Sequence, residues 1–361
     1  MNDTLDRPVV ALVLAGGTGT RLYPASRSHR PKQFLSLGDA DDRSLLSRTV
    51  ARADFADEVV VSTRRAFADE IENHAPDAEV LVEPAAKDTG PALSYATHRI
   101  AERYAEDGDD GADPVVVVLP ADHHVADRPE TDDAGAGGVE NGRFSEAMLT
   151  GARVAADTGA LVAFGVEPTR PDPGYGYIEP GDDREGYHDL AAFHEKPDPE
   201  TAAEYVDAGH LWNAGIFAWT AESFLEAARD SPLRSLVHAL DWGDTERGFD
   251  EVEEVSVDYA VMERAENAAV VPVSFRWDDL GSWDALERVL GDDEAGNAVL
   301  GEGLTVDAAD NVVASDDTHV SLVGVEGLCV VAWDDRVLVV PKDEAQRVRE
   351  VVAALKEGGR F

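Results

Sequence analysis

The chain has 361 residues, and its 73 acidic side chains outnumber its 31 lysines and arginines, which gives a formal net charge of −42 at pH 7. This charge excludes nucleic acids and anionic membranes as partners, because both require basic surfaces. No apolar run approaches the roughly 20 residues of a membrane span, the first residues lack signal-peptide character, and Cys329 has no second cysteine to pair with. We therefore expect a cytoplasmic protein.

The acidic excess also predicts a dependence on salt. Charge repulsion of this size destabilises a compact state unless salt screens it, and the Debye length falls to roughly 3 Å at 1 M salt. We expect a protein adapted to a molar-salt cytoplasm, as in a halophile, whose refolding yield and activity rise with KCl up to molar concentrations. Titrating both against KCl checks this, and maxima at low ionic strength would contradict it.

The first predicted element is a buried strand that ends in a glycine-rich loop. The apolar run from Val9 to Leu14 is short and rich in β-branched residues, and glycine closes it. Gly16, Gly17 and Gly19 then allow backbone amides to approach an anion without a Cβ in the way. The pattern therefore predicts a phosphate site after the first strand.

Two better-known glycine loops do not fit this segment. A Walker A loop needs Lys-Ser or Lys-Thr after its last glycine, and here Thr20 and Arg21 follow. A dinucleotide-binding loop needs a third glycine where Leu22 stands. What remains is Gly-Gly-x-Gly-x-Arg followed by Pro31-Lys32. The Arg21 guanidinium and the Lys32 ammonium can both bind phosphate oxygens, so they favour a triphosphate site over an ordinary strand-to-helix turn.

Strands and helices alternate through the first third of the chain. This alternation predicts a Rossmann-like α/β fold, in which a doubly wound, mainly parallel sheet is covered by helices on both faces. Ligands of such sheets bind beyond the carboxyl ends of the strands. After the first strand the predicted elements are a helix from about Ser44, a strand over 59–62, a helix over 67–73, a strand over 79–82, a helix after Thr89 and a strand over 115–119.

The pattern changes at about residue 291 to short β-rich segments separated by glycine and Asp-Asn turns. About 290 residues already make a full α/β unit, so we expect a catalytic domain over residues 1–290 and a small β-rich domain over 291–361 that ends in a short helix. Two acidic, glycine-rich stretches over 107–113 and 127–142 are interpreted as solvated insertions. The predicted C-terminal strands are 304–306, 312–314, 320–325, 329–332 and 337–340.

Carboxylates in two segments are candidate metal ligands. Asp122 follows the strand over 115–119 directly, and Mg²⁺ prefers such hard oxygen ligands beside substrate phosphate. A simple turn cap is the alternative interpretation. The Trp-Asp-Asp-Leu-Gly-Ser-Trp segment offers Asp278 and Asp279, of which we select Asp279. A zinc site at His123 and His124 is conceivable, but no cysteine or other ligand cluster accompanies them, so His123 is interpreted as a supporting neighbour.

The connection from Glu83 to Ala92 is a strand-to-helix segment with a possible role in base recognition. The Glu83 carboxylate can accept hydrogen bonds from the N1 and N2 donors of guanine, a pattern that adenine does not offer. A plain helix cap accounts for Thr89 equally well. The sequence alone leaves the base open.

Three later motifs suggest a sugar-phosphate pocket. They are Gly-Tyr-Gly-Tyr-Ile, His-Glu-Lys-Pro and Trp-Asn-Ala-Gly-Ile-Phe, in that order. Glu195 and Asn213 offer acceptors and donors for sugar hydroxyls, and Lys196 can neutralise a phosphate. Each motif is weak alone, but together after a triphosphate loop they predict a sugar-phosphate site.

These segments, in this order, resemble the mannose-1-phosphate guanylyltransferases of the sugar-1-phosphate nucleotidyltransferase superfamily. The resemblance covers nearly the whole chain, and the Gln-Phe after Pro31-Lys32 is characteristic of the mannose branch. It implies a small left-handed β-helical C-terminal domain and a homodimer. The chain departs from the family at Lys87-Asp88-Thr89-Gly90-Pro91-Ala92, where Arg-Asn-Thr-Ala-Pro-Ala is usual.

The resemblance implies Mg²⁺-dependent transfer of GMP from GTP to mannose 1-phosphate, with Arg21, Lys32 and Lys196 as catalytic residues and Asp122 and Asp279 as metal ligands. Two alternatives stay open: a different sugar 1-phosphate or nucleoside triphosphate, and a noncatalytic nucleotide-sugar sensor. The implied nucleotide-binding residues are Ala15, Gly16, Gly17, Thr18, Gly19, Arg21, Lys32, Glu83, Thr89 and Pro91. The implied sugar-phosphate-binding residues are Gly176, Glu195, Lys196 and Asn213.

Overall fold

The computed structural model describes residues 5–37, 42–106, 113–126 and 142–361. The two acidic stretches interpreted as insertions lie outside these ranges, apart from their last residues, Asp113 and Gly142. The chain divides into two compact units, while the domain boundary expected near residue 290 stays a prediction. Unit 1 comprises Met1–Gly16, Val50–Pro120 and Ala126–Trp277, and unit 2 comprises Gly17–Thr49, Ala121–Val125 and Asp278–Phe361.

The strands and helices predicted for the first third of the chain are all present. The strands up to residue 278 are β1 Val9–Leu14, β2 Glu58–Arg64, β3 Glu79–Glu83, β4 Val115–Pro120, β5 His124–Ala126, β6 Leu161–Val166, β7 Tyr177–Asp183, β8 His188–His194, β9 Leu211–Thr220, β10 Ala268–Val273 and β11 Arg276–Asp278. The helices are α1 Leu45–Arg52, α2 Ala68–His74, α3 Thr89–Glu106, α4 Gly142–Thr158, α5 Pro199–Asp207, α6 Ala221–Arg229, α7 Arg234–Asp241, α8 Thr245–Glu251, α9 Val257–Ala260, α10 Ala285–Leu290 and α11 Val348–Glu357.

In the described part of unit 1, nine strands form one sheet in the order β3-β2-β1-β4-β9-β6-β10-β8-β7. Strands β1 to β4 are parallel, and the apolar runs of β1 and β4 are buried on both faces, as parallel strands between helices require, while β3 at the edge of the sheet is only partly buried. Strand β9 runs antiparallel to both β4 and β6, so the second half of the sheet is mixed. The carboxyl ends of β1 and β3 lie on the same edge of the sheet. Ala15 follows β1 directly, and Glu83 is the last residue of β3.

A glycine in α4 allows this helix to pack closely on the sheet. A Cβ added to Gly151 would lie 2.3 Å from Cζ of Phe164, a fully buried ring on β6. We expect Gly151→Ala to lower the free energy of unfolding by about 1–3 kcal/mol, since the steric strain exceeds the gain of up to about 1 kcal/mol in helix propensity.

Urea unfolding at constant KCl measures this effect. Asp157→Ala, an exposed substitution on the same helix, is the control and should change stability by less than about 0.5 kcal/mol. Equal stabilities of Gly151→Ala and the wild type would contradict the packing argument.

Unit 2 contains a small coil of parallel strands. Its strands are β12 Ala298–Leu300, β13 Gly303–Val306, β14 Val312–Ser315, β15 Val320–Val323, β16 Leu328–Trp333 and β17 Arg336–Pro341. Strands β12, β14 and β16 stack in parallel in one sheet, β13 and β15 in another, and β17 closes the first sheet antiparallel to β16. Two buried asparagines link successive turns of this coil, since Asn311 Nδ2 donates to Asn297 Oδ1 at 2.9 Å. The handedness implied by the resemblance stays a prediction.

The core of unit 2 joins its N-terminal segment to its C-terminal strands. Trp283 is fully buried and donates from Nε1 to the carbonyl of Tyr23 at 2.8 Å. Leu22 belongs to the same apolar cluster as Cys329, so the residues after the glycine loop are held by a packed core. Among the described residues, none of the helices has both the length and the apolar composition that crossing a bilayer requires.

Candidate active site

The first half of the glycine loop lies at the end of β1 in unit 1. The amide of Ala15 donates to the carbonyl of Ser62 at 2.8 Å, and Thr63 Oγ1 donates to the carbonyl of Ala15 at 2.9 Å. A Cβ on Gly16 would lie 3.1 Å from Oε1 of Glu83. Glycine at this position therefore permits a buried carboxylate to approach the loop backbone.

Glu83 is the last residue of β3, and it is only 8% exposed. Its Oε1 accepts a hydrogen bond from Ser62 Oγ at 3.0 Å. Burial raises the pKa of Glu83, and the Ser62 hydrogen bond and the Arg64 charge oppose that rise only in part. The structure thus brings Glu83 beside Gly16, and its role in base recognition stays a prediction.

The second half of the loop belongs to unit 2 and packs on Lys32. Gln33 Nε2 donates to the carbonyl of Gly17 at 3.1 Å, which orders the backbone before Thr18. Gly19 has φ +53°, and a Cβ there would lie 2.4 Å from Cβ of Lys32. Only glycine permits both this backbone conformation and this contact. The loop and the lysine are therefore positioned together.

Lys32 is the centre of a charged cluster in unit 2. It is 5% exposed, and its Nζ donates to Asp122 Oδ2 at 2.9 Å and to the carbonyl of Asp279. The Arg21 guanidinium lies 3.9 Å from Oδ2 of Asp279. Burial by itself would raise the pKa of Asp122, but Lys32 and His123 hold it below its ordinary value. The structure brings together four of the residues that the sequence singled out.

Asp278 and Asp279 differ in their surroundings, and the choice of Asp279 as a metal ligand stays a prediction. Asp278 is buried and bound on both oxygens, with Oδ1 accepting from the amide of Leu280 at 2.8 Å and Oδ2 accepting from Arg288 Nε at 2.6 Å. Asp278 therefore has a structural role in the turn. Asp279 accepts from the amide of Gly281 at 3.0 Å, and its other oxygen lies toward Arg21.

The sugar-phosphate motifs come together in unit 1 through strand pairing. Tyr177 on β7 is paired with His194 on β8 and with Trp212 on β9. Gly176, immediately before β7, accepts from the amide of Asn213 at 2.9 Å. Motifs separated by up to 37 residues in the sequence therefore become neighbours because antiparallel strands bring their ends together.

Glu195 and Lys196 follow β8 directly. A Cβ on Gly176 would lie 3.2 Å from Oε2 of Glu195, so glycine makes room for this carboxylate. Lys196 contacts Oε1 of Glu195, and its ammonium end is exposed. Its φ of +30° is unusual for a residue with a side chain and fixes the direction of the turn. The pair presents one acceptor and one cation to solvent.

Asn213 is held at both ends of its amide. Nδ2 donates to Asp258 Oδ1 at 2.9 Å, and Oδ1 accepts from the amide of Gly215 at 2.9 Å. Asp258 was missed from the sequence, since a single aspartate is not distinctive in a chain with 73 acidic residues. The sequence offered one indication of a helix start at this place, namely Ser256, two residues earlier, whose hydroxyl caps α9.

Asp258 should make the free energy of unfolding depend on pH. Burial first, and then the Glu195 charge, raise its pKa to about 6. Between about pH 4 and 6 the folded state retains a proton that the unfolded state has released, so stability from this group falls as pH rises. We expect the unfolding free energy of the wild type, minus that of Asp258→Asn, to fall by about 2–3 kcal/mol between pH 4 and 7.

Urea unfolding of both proteins across this pH range at constant KCl measures the difference. Asp250→Asn, at an exposed position on α8, is the control for an aspartate-to-asparagine substitution. An Asp258→Asn difference that does not change between pH 4 and 7 would contradict the raised pKa of Asp258.

Thr89 and Pro91 lie in the first turn of α3. Thr89 Oγ1 accepts from the amide of Val257 at 2.9 Å, and Lys87 Nζ donates to the carbonyl of Val252 at 3.0 Å. The side chains of Thr89 and Lys87 therefore join the start of α3 to the segment around α9. A nucleotide-binding role for Thr89 and Pro91 stays a prediction.

Comparisons with known proteins agree with this architecture. The chain matches the family described as Nucleotidyl transferase over residues 10–296 and the MannoseP isomerase/GMP-like beta-helix domain over residues 301–355. Alginate biosynthesis protein AlgA of Pseudomonas putida is 34% identical over 374 residues, covering 98% of this chain and 72% of that protein. Mannose-1-phosphate guanylyltransferase of Klebsiella pneumoniae is 34% identical over 375 residues, covering 98% and 75%.

A solved structure supports the same conclusion. A Thermus thermophilus protein described as a mannose-1-phosphate geranyltransferase is 36% identical, with a TM-score of 0.85 over 97% of this chain and 99% of that chain. The sheet, the glycine loop and the C-terminal coil define an α/β nucleotidyltransferase fold with a β-helix-like domain. The chain belongs to the Nucleotidyl transferase family and is an enzyme of that family. The named relatives support sugar-phosphate nucleotidyl transfer as its activity.

Proposed function

We propose that this enzyme transfers GMP from GTP to mannose 1-phosphate, forming GDP-mannose and pyrophosphate. The observation that carries the proposal is the cluster in which the buried Lys32 contacts Asp122 and Asp279 beside the glycine loop. Relatives named mannose-1-phosphate guanylyltransferase, which match 97–98% of this chain at 32–34% identity, support the choice of substrates.

In this proposal the glycine loop and two cations bind the triphosphate. The amides from Ala15 to Gly19 offer donors to phosphate oxygens, because glycine leaves the backbone accessible. Arg21 can bind two oxygens with its planar guanidinium, and Lys32 adds a charge fixed by its packing on Gly19. Together these groups neutralise the polyanion and align its α-phosphorus.

The carboxylates of Asp122 and Asp279 form an all-oxygen donor set that fits Mg²⁺. The lowered pKa of Asp122 keeps this carboxylate ionised, as metal binding requires. Mg²⁺ bound there would supply positive charge to the phosphate oxygens. Lys32 and Arg21 would hold the two carboxylates in position through the contacts already described.

Glu83 is the proposed guanine-recognising residue. Its Oε1 is oriented by Ser62, which leaves the carboxylate with further acceptor capacity for the N1 and N2 donors of guanine. Burial beside Gly16 strengthens such hydrogen bonds, since the surroundings have a low dielectric constant. Thr89 and Pro91 would limit the space around the base.

Mannose 1-phosphate is proposed to bind at the four residues gathered by β7, β8 and β9. Glu195 accepts hydrogen bonds from sugar hydroxyls, and Lys196 neutralises the phosphate. Asn213 keeps one amide hydrogen and one lone pair beyond its bonds to Asp258 and Gly215, which suffice for one hydroxyl. Gly176 contributes backbone groups.

The reaction would proceed by in-line attack of a mannose 1-phosphate oxygen on the α-phosphorus of GTP. The attacking phosphate is already anionic, so no general base is needed. Catalysis then consists of alignment of the two substrates and neutralisation of charge by Arg21, Lys32 and Lys196.

Pyrophosphate release in molar KCl with Mg²⁺ tests the substrates. Four nucleoside triphosphates should be crossed with mannose, glucose and galactose 1-phosphates, and GTP with mannose 1-phosphate should give the highest rate. A higher rate with another pair would reassign the specificity. Absence of release with every pair would contradict an enzymatic function and favour a nucleotide-sugar sensor.

We also propose a homodimer in the molar-salt cytoplasm of a halophile. The charge of −42 supports the salt requirement, and the family resemblance supports dimerisation through the C-terminal domain. Sedimentation equilibrium in molar KCl should give twice the chain mass. A monomer mass at all protein concentrations tested would contradict this assembly.

A further inference from the structure

Three side chains of unit 1 converge at a place that the proposed reaction does not use. Glu179 on β7, His194 at the end of β8 and His210 just before β9 each direct one ligand atom to a common point, and these atoms lie within 4.8 Å of one another. Oε2 of Glu179 lies 3.7 Å from Nε2 of His194 and 3.9 Å from Nε2 of His210. Both separations are longer than a hydrogen bond.

The imidazole of His210 has a buried nitrogen that lacks a polar partner. His210 is 8% exposed, and its Nδ1 is buried without a hydrogen-bond partner in the described ranges of the chain. The nitrogen of His210 that faces Glu179 is the other one, Nε2, so an ion bound between these side chains would coordinate Nε2 and leave Nδ1 unchanged.

The surrounding structure holds the three side chains in place. The Tyr205 ring stacks on both imidazoles, with centroids 4.6 Å from His194 and 4.7 Å from His210. The amide of His210 donates to the carbonyl of Tyr205 at 3.0 Å. An irregularity in the pairing of β7 with β8 falls immediately after Glu179, and such bulges redirect neighbouring side chains.

We propose that Glu179, His194 and His210 form a binding site for a divalent transition-metal ion of the zinc type. Two histidines and one glutamate are an established zinc donor set, with a fourth position for water. Ligand atoms about 2.0–2.1 Å from a tetrahedral ion lie roughly 3.3–3.5 Å apart. The two separations from Glu179 would close by a few tenths of an ångström, and the two imidazole nitrogens, which lie within 4.8 Å of each other, would also close on the ion.

The side-chain chemistry distinguishes this site from the proposed magnesium site. Imidazole nitrogen suits zinc, cobalt and nickel, whereas Mg²⁺ prefers an all-oxygen set such as Asp122 and Asp279. The Glu179 side chain is 47% exposed, which gives an ion access from solvent. A bound ion would join β7, β8 and the start of β9. Gly176 lies immediately before β7, Glu195 immediately after β8, and Asn213 on β9.

Zinc binding to the tag-free protein tests the proposal. The protein is stripped with a chelator and titrated with Zn²⁺ in excess Mg²⁺ against a chromogenic competitor. We expect one ion per chain bound with a dissociation constant below about 1 μM, and weakening by at least about 100-fold in His210→Ala and in Glu179→Gln. Co²⁺ should give a visible absorption band in the wild type that both variants lose.

Two controls separate this site from other sources of binding. His319→Ala, an exposed histidine of unit 2, and Asp122→Asn should keep full zinc affinity. Circular dichroism checks that each variant is folded. If His210→Ala is unfolded, the affinity of Glu179→Gln for zinc decides the test. Wild-type protein without submicromolar zinc binding, or folded variants with unchanged affinity, would overturn the proposal. Because zinc binding is the readout, this result is independent of the nucleotidyltransferase assay.

Discussion

Asp122→Asn should lower the turnover of pyrophosphate release by at least about 1000-fold while leaving the fold intact. The substitution keeps the shape of the side chain but removes the negative charge that pairs with Lys32 at 2.9 Å and that Mg²⁺ binding requires. Because Lys32 is 5% exposed, the loss also removes the carboxylate charge that compensates its ammonium, which still donates to the carbonyl of Asp279. Initial rates across a range of Mg²⁺ concentrations measure the effect.

Asp317→Asn is the matched control, since Asp317 is an exposed aspartate in the same unit, and its turnover should equal that of the wild type. Circular dichroism and urea unfolding show whether the Asp122→Asn protein is folded. Near-normal turnover of the folded variant would refute the assignment of Asp122 as a metal ligand.

Lys32→Met should lower kcat/KM for GTP by at least about 1000-fold, because it removes the positive charge at the centre of the cluster. The Lys32 stem packs closely on Gly19, since a Cβ added to Gly19 would lie 2.4 Å from Cβ of Lys32. Methionine retains an apolar stem that can keep this packing. Burial would then raise the pKa of Asp122 without the opposing ammonium. Steady-state kinetics with GTP as the varied substrate measure the loss.

Lys356→Met near the end of α11 is the matched lysine control and should leave kcat/KM unchanged. Lys32→Arg separates charge from shape: we expect it to remain impaired, since a guanidinium cannot occupy the buried position of the ammonium. Wild-type kinetics for folded Lys32→Met would contradict the proposed role of Lys32 in binding and neutralising the triphosphate.

Local sequence patterns were sufficient to predict the strands in the first half of the sheet and to select the residues of the charged cluster. The apolar β-branched runs of β1 and β4 each end in a polar loop, so the positions of the glycine loop and Asp122 follow from the strand ends. Lys32 and Arg21 were identifiable because their spacing after the glycines excludes the commoner loops. Both predictions needed only short-range information.

Long-range pairing could not be predicted from the sequence. The apolar run of β9 does not encode that its neighbours β4, β6 and β7 all run in the opposite direction. Asn213 was selected for a sugar hydroxyl, but the amide is also bound to Asp258, 45 residues later in the chain. His210 carries no local signal either, because the cluster with Glu179 and His194 exists only after β7, β8 and β9 pair.

The position of the label after reaction with radiolabelled GTP shows whether this protein transfers a nucleotidyl group. With mannose 1-phosphate and Mg²⁺ in molar KCl, we predict that label in the α-phosphate appears in GDP-mannose and that label in the γ-phosphate appears in pyrophosphate. Transfer of γ-label to the sugar phosphate, or α-label that remains in GTP while the enzyme is folded, would contradict nucleotidyl transfer by this protein.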